Sequence, residues 1–319
     1  MKSIRIITLV LWGWCGFLFA QPEGTPEDWL QRMASALRGL NYQISFVVLQ
    51  PNGEFEPYLW RHALVDDIEM EHLSLQNGPG REIVRVDDLV SYFEPNVPAF
   101  SLRSDVINGP LPAELFRNPH ALEHAYDYVM IGRSRISGRS AQQIRIVSKD
   151  KSRYGFNLWL DQESGLLLKL DMTDVQGEVL EQVQVTSLQV TAEPDEYFSR
   201  IEKSKLPELV EMSDTGPLPI RWQIGWLPEG MQILRRDIHR LPMTGQMVEY
   251  AMLSDGLVDV SVYLQAVDPG TSENGWLRYG ANTLLSLQQG ALEVTVVGKV
   301  PPQTASTIAN SITLVKGND

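Results

Sequence analysis

Between Tyr154 and Val185 apolar residues alternate with polar ones in three runs: Phe156, Leu158 and Leu160, then Leu166, Leu168, Leu170 and Met172, then Val179, Val183 and Val185. Polar turns carrying Gly165 and Gly177 separate the runs. A period of two puts each apolar set on one face of a strand, and turns this short join antiparallel neighbours. The stretch predicts a meander with one apolar and one polar face.

The same pattern extends in both directions. Strands are predicted for YQISFVVLQ, FEPYLWRHALV, IEMEHLSL, REIVRV and LVSYFEP, and later for YVMIGRSRI and SAQQIRIVS. The period changes at TPEDWLQRMASALRGL, where Trp29, Met33, Leu37 and Leu40 recur about once per helical turn. Thr25 is placed to cap that helix, and Pro26, Glu27 and Asp28 suit its first turn. Residues 95–112 are proline-rich and irregular, and ELFRNPHALEHAYDY predicts a short helix started by Asn118 and Pro119. Residues 22–190 therefore form one long antiparallel sheet with two helical insertions. A sheet that large curls, and helices that cover its concave side incompletely leave an apolar cavity.

The pattern decays over residues 191–219, a connection containing four prolines in mixed charge. MQILRRDIHR, MVEYAMLSDGLVDVSVYLQAV and ALEVTVVGKV are again strand-like, with Ser254-Asp255-Gly256 as a hairpin turn. PPQTASTIANSI predicts a helix carrying Ile308 and Ile312. The fold class is mainly β with α+β character. The divisions are a segment 1–20, a large sheet domain 21–200, a linker 201–219 and a small α+β domain 220–319.

Segment 1–20 changes the compartment. Lys2 and Arg5 precede an uncharged apolar run ending at Ala20, the layout of a secretory signal peptide cleaved near Ala20. The run is shorter than the ~20 residues that span a bilayer. Cleavage removes Cys15, the single cysteine, and takes the formal charge from −13 to −15. Such an acidic chain is not a general nucleic-acid binder.

Candidate chemistry is sparse. His120, Glu123 and His124 match the H-x-x-E-H pattern of inverted zinc proteases, but no third ligand accompanies them, and two histidines on a surface helix are the plainer reading. No nucleophile elbow, phosphate-binding loop or dinucleotide fingerprint occurs, so no catalytic residue, metal or cofactor is assigned. Between Arg133 and Arg153 seven cations face Asp150 alone, a local charge of +6. Grouped guanidinium groups suit phosphate or carboxylate recognition, and a solvated strand face is the alternative. Trp222 and Trp226 open the small domain, where aromatic residues serve as partner anchors or as core.

GLNYQISFVVLQPNGEFEPYLWRHA, GPGREIVRVDDLVSYFEP, YDYVMIGRSRISGRSAQQIRIVSKDKSRYGFNLWLDQESGLLLKLDM, LSDGLVDVSVYL and VGKVPPQTASTIANSI resemble the RseB/MucB family of periplasmic sigma-E factor regulatory proteins, in order along nearly the whole mature chain. Gly80 departs from the pattern, standing where a second basic residue is expected beside Arg81. The resemblance implies that the large domain is an open half-barrel similar to the LolA and LolB lipoprotein carriers. It also implies that the small domain docks the periplasmic segment of a transmembrane anti-sigma factor (RseA- or MucA-like), shielding it from site-1 proteolysis. Lipopolysaccharide or another lipid would lift that block. Residue chemistry then assigns the lipid cavity to Phe156, Leu158, Leu160, Leu168, Leu170 and Trp29. Arg133, Arg135, Arg145 and Arg153 are assigned to anion contact, and Trp222, Trp226 and Tyr263 to the protein partner. A periplasmic lipid or lipoprotein carrier is the alternative function, and homo-oligomerisation stays open.

Overall fold

The computed structural model describes residues 24–210, 222–240, 247–270 and 274–314, so the predicted signal peptide lies outside the described residues. Helix α1 (Pro26–Gly39) starts at a reciprocal cap. Thr25 Oγ1 accepts from the Asp28 amide at 3.2 Å, and Asp28 Oδ2 accepts from the Thr25 amide at 2.8 Å. Its buried stripe is Leu30, Met33, Ala34 and Leu37. Trp29 sits at the edge of that stripe, with the Arg32 guanidinium 5.0 Å above its ring, so the predicted stripe is rotated by one residue at its start.

Eleven antiparallel strands make the first sheet. They are β1 (Asn41–Leu49), β2 (Phe55–Val65), β3 (Ile68–Leu75), β4 (Glu82–Val86), β5 (Leu89–Phe93), β6 (Phe100–Arg103), β7 (Tyr126–Ile136), β8 (Arg139–Ser148), β9 (Gly155–Asp161), β10 (Leu167–Thr173) and β11 (Val179–Thr191). Their order is β6-β5-β4-β3-β2-β1-β11-β10-β9-β8-β7. Two meanders thus run outward from the β1–β11 pair, which joins the two ends of the domain in sequence. Helix α1 touches both β2 and the far edge strand β7, which an unbent sheet of this width would not allow. The sheet is therefore curled around the helix and open along its edges. Strand β6 falls inside the stretch predicted to be irregular, and it is too short to display a period.

Strands β6 and β7 are opposite edges, yet they are consecutive in sequence. Their connection has to cross the full width of the sheet, and it does so over the concave face. It carries helix α2 (Ala113–Arg117) and a 3₁₀ turn, Pro119–Leu122. The expected start at Asn118 and Pro119 is that of the 3₁₀ turn, and Asn118 also closes α2, its amide donating to the Glu114 carbonyl at 2.9 Å.

The second sheet has six strands in the order β13-β14-β15-β18-β17-β16. These are β13 (Gln232–Arg240), β14 (Met247–Ser254), β15 (Asp259–Ala266), β16 (Gly275–Tyr279), β17 (Asn282–Gln289) and β18 (Leu292–Gly298). Helix α3 (Pro302–Asn310) packs on β17 and β18 through Ala305, Ile308 and Ala309, while β12 (Trp222–Ile224) pairs with β19 (Ile312–Leu314). The sequence pattern did not predict β16 and β17; β16 is exposed on both faces and shows no alternation.

After β11 the chain folds back over the convex face of the first sheet. A 3₁₀ turn, Glu196–Arg200, buries Phe198 against Ala63, Met70, Val84 and Val86. The chain then runs beside edge strand β6: Ser101 N donates to Glu208 O at 3.0 Å, and Val210 N donates to Ser101 O at 2.8 Å. An exposed strand edge is thereby covered.

Candidate functional site: the concave face and the domain seam

Residues 104–112 of the crossing connection lie over the concave face like a strap, and three cavities open around Gly109 and Pro110. The first, of about 200 Å³, has apolar walls from Leu37, Trp60, Leu73, Leu111 and Phe116, with Glu69 and Glu71 at one end. The second, about 280 Å³, lies between Phe156, Leu170 and Met172 of the large domain and Leu257, Val258 and Lys299 of the small one. The third, about 450 Å³, is lined by Val48, Tyr58, Ile83 and Tyr92 together with Asn282 and Lys299. Between the last two, Lys299 Nζ meets both oxygens of the Glu181 carboxylate at 2.9 Å.

Of the six residues assigned to a lipid cavity, Phe156 and Leu170 line the second cavity. Leu158, Leu160 and Leu168 are wholly buried in the core shared with the apolar stripe of α1, and Trp29 packs at its margin. The helix fills the half of the concavity where those residues were expected to be open. The remaining free volume lies nearer β2, β3 and the small domain.

The four arginines do not form one patch. A bulge between Met130 and Gly132 shifts the β7 register by one residue. It is held by the buried Gln142 amide, whose Nε2 donates to the Gly132 carbonyl at 2.8 Å. Beyond the bulge Arg133 pairs with Gln142 and Arg135 with Ser140, and Gln142 pairs in turn with Leu160. Arg133 and Arg135 therefore lie on the apolar side of the sheet, at its open edge. Arg145 lies on the opposite side, donating from Nε to Asn157 Oδ1 at 3.0 Å. Arg153 lies between the domains and is shielded from solvent, so it cannot meet an anion together with the other three.

That seam is polar and buried. Arg153 Nη1 is 3.1 Å from Asp255 Oδ2 and donates to the Glu229 carbonyl at 2.7 Å. The guanidinium also lies 4.9 Å over the Tyr126 ring. Tyr126 Oη donates to Asp255 Oδ2 at 2.7 Å, and Asp255 Oδ1 accepts from the amides of Leu257 and Val258. Burial, reinforced by the Asp255 charge, drives the Tyr126 phenol far above its usual range. Asp150 Oδ2 accepts from the Glu229 amide at 2.8 Å. Burial opposes ionisation of Asp150, but this bond, Ser152 and Arg153 outweigh it and hold the carboxyl below its ordinary value. The SDG turn thus became the anchor between domains, a role that turn chemistry alone does not reveal.

The aromatic residues assigned to partner contact differ in exposure. Trp222 is buried, donating from Nε1 to Glu249 Oε2 at 2.5 Å beneath the Arg236 guanidinium, so of the two uses read from sequence, partner anchor or core, it serves here as core. Trp226 is partly exposed, and Tyr263 is half-buried with its ring centroid 5.1 Å from that of Tyr250. The sequence reading missed a more exposed apolar group, Trp276, Leu277, Tyr279 and Leu284 on β16 and β17. His120 is bonded to Glu123 at 2.5 Å, whereas His124 turns toward the Ala121 and Gly230 carbonyls, so the two imidazoles do not converge.

Sequence profiles of known families match both parts of the chain: the MucB/RseB N-terminal domain over residues 25–210 and the MucB/RseB C-terminal domain over residues 217–313. The sigma-E factor regulatory protein RseB of Escherichia coli is 34% identical over 296 residues, covering 92% of each chain. The sigma factor AlgU regulatory protein MucB of Pseudomonas aeruginosa is 31% identical over 322 residues, covering 98% of each. The solved complex of Pseudomonas aeruginosa MucA and MucB superimposes with a TM-score of 0.74 at 29% identity, covering 92% of this chain and 99% of that one. Profiles over both domains and near-complete coverage of the relatives place this chain in the RseB/MucB family of sigma factor regulatory proteins, which are not enzymes.

Proposed function

We propose that this chain acts in the periplasm, after loss of a signal peptide near Ala20, as a negative regulator of a sigma-E envelope-stress response. It binds the periplasmic segment of a transmembrane anti-sigma factor, shields that segment from site-1 proteolysis, and releases it when lipopolysaccharide or another lipid binds. The partner reading is supported by the Pseudomonas aeruginosa relative, solved in complex with MucA.

The observation that carries the lipid switch is that the second and third cavities are walled by both domains. An acyl chain lodged there touches Phe156 and Leu170 on one side and Leu257, Val258 or Lys299 on the other. Its binding energy then depends on how the domains sit together. A ligand shifts an equilibrium only through such a difference in affinity between states. In this reading Arg133 and Arg135, on the apolar side of the open edge, would be the contacts for lipid phosphates. A lipid carrier needs a cavity but no second domain closing it, which favours the regulator over that alternative.

Calorimetry with residues 21–319 and the periplasmic segment of the anti-sigma factor from the same genome tests the proposal. Binding that lipopolysaccharide weakens is the expected result. Absence of binding by the folded protein would leave the carrier as the better reading. Unchanged lipid-driven release after Arg133→Gln and Arg135→Gln would remove the phosphate site.

A further inference from the structure

The first cavity contains a built polar end that the proposed function does not use. On the concave side of β1 to β4, the register places Tyr42, His62, Glu71 and Arg85 in one row. Arg85 Nε donates to Glu71 Oε1 at 2.7 Å and Nη2 to Glu69 Oε1 at 2.5 Å, while Trp60 Nε1 donates to Glu71 Oε2 at 2.9 Å. His62 Nδ1 donates to the Leu40 carbonyl at 2.7 Å, and its Nε2 lies 3.3 Å from Glu69. Two carboxylates share one buried guanidinium, and Glu69 also faces the His62 ring. Burial raises the cost of a charged Glu69, but His62 and Arg85 outweigh it and keep the group ionised.

A second, independent observation points to a ligand. Tyr42 lines this cavity, is only 2% exposed, and its hydroxyl makes no hydrogen bond to another group of the protein. An unmade bond at a buried hydroxyl is costly, and native proteins rarely leave one without a use. Around it stand aromatic faces: Tyr42 edge-on to Trp60 at 5.3 Å, and Trp60 stacked toward Phe116 at 6.4 Å. Carboxylates, an available hydroxyl and aromatic faces together favour a cation with N–H donors. At the mouth, Arg117 is paired with Asp105, and Arg38 donates from Nε to the Ala34 carbonyl at 3.4 Å. The apolar walls lead to Gly109 and Pro110, where the other two cavities begin.

We infer that the first cavity recognises a lipid whose head group carries a primary ammonium, seated against Tyr42 and the Glu69–Glu71 pair, with its chain running along Leu73 and Leu111 toward Gly109. The inference adds a head-group preference to the lipid reading. It is tested without the anti-sigma segment, so either proposal can fail while the other stands.

The experiment measures direct binding to residues 21–319 by calorimetry. The probes are lysophosphatidylethanolamine and lysophosphatidylglycerol of the same acyl chain, below their micellar concentrations. The two differ in carrying an ammonium or a glycerol beyond the phosphate. A hydrogen bond to a charged group contributes enough to expect a preference on the order of tenfold for the ammonium form. Tyr42→Phe keeps the ring packing and should reduce that preference several-fold. Glu71→Gln should remove most of it. Since Glu71→Gln also exposes Arg85 to an incomplete pairing, Ala113→Trp, which fills the cavity from α2, serves as a second variant and should abolish binding of both probes. Equal affinity for the two probes, tighter binding of the glycerol form, or retention of the preference in a folded Ala113→Trp protein would each overturn the inference.

Discussion

Arg153 and Asp255 form an ion pair, 3.1 Å between Nη1 and Oδ2, in which neither side chain reaches solvent. One comes from the turn before β9 and the other from the β14–β15 hairpin, so the pair ties the large domain to the small one. Replacing both ions by apolar groups of similar volume is often close to neutral, whereas removing one leaves the other buried without a counter-charge. Asp255→Asn should therefore cost about 3–5 kcal/mol in urea unfolding, and adding Arg153→Met, which removes the stranded cation while the asparagine oxygen still accepts from the Leu257 and Val258 amides, should recover part of that loss. Equal losses in the single and double variants would show that the seam is held elsewhere.

Gly230 lies at the same seam with φ +81°, a conformation that disfavours a side chain. A Cβ there would sit 2.5 Å from His124 Nε2 and 2.7 Å from Ala125 Cβ. Gly230→Ala combines left-handed strain with two clashes, so a loss of about 2–4 kcal/mol is expected, larger than strain alone would give. His124→Ala in the same chain should relieve only part of it, because the Ala125 contact persists. Thermal unfolding of the single and double variants checks both statements.

What could be read from sequence divides according to range. The Thr25–Asp28 cap and the bounds of β2 and β3 follow from neighbours within a few residues, and both appear where the pattern puts them. The seam does not follow that way: Asp255 is an ordinary turn residue until Arg153 and Tyr126, more than a hundred residues earlier in the chain, fold onto it. Arg133 and Arg135 show the same limit. Strict alternation puts them opposite Met130, and the bulge at Ile131, fixed by Gln142 from the next strand, moves them to the same side as Met130. Part of the cavity assignment is covered for a third reason. Periodicity identifies which face of a strand is apolar, but not which part of that face a helix covers. Helix α1 closes over Leu158, Leu160 and Leu168, and the open volume lies beside the strap at Gly109.

The segment after β11 is docked through few side chains, with Phe198 as its buried anchor against Met70, Val84 and Val86. Phe198→Ala removes an aromatic ring from that site, a change that typically costs about 3–5 kcal/mol in a packed core. Here the loss should be local: limited proteolysis should accelerate within residues 195–210 while the two sheets resist. General digestion of the chain would mean that this segment is integral to the fold of the large domain.

His72 makes the same docking sensitive to acid. Its ring is stacked on Tyr197 of the segment after β11 with centroids 4.1 Å apart, and its Nδ1 lies 3.0 Å from Arg61 Nη1. A guanidinium only donates, so Nδ1 must be the acceptor and the imidazole neutral. Burial is the largest influence and lowers the His72 pKa; Glu82 and Asp195 oppose it, Arg61 adds to it, and the net direction is downward. The unfolded chain then takes up its proton first as pH falls. Stability contributed by neutral His72 is fully present above the ordinary histidine value of about 6.5 and declines below it until the folded group titrates as well. Glu69, Asp150 and Asp161, whose pKa values are lowered in the fold, add a separate loss below about pH 4. Urea midpoints measured between about pH 7.5 and pH 5 should fall for the native chain and stay flat for His72→Gln, which retains an acceptor for Arg61 but carries no proton in this range. Because Tyr197 lies directly on the His72 ring, the acid-induced loss should coincide with faster cleavage of that segment. Loss of stability with an unchanged cleavage rate would separate His72 from the segment and assign the pH dependence to the sheet alone.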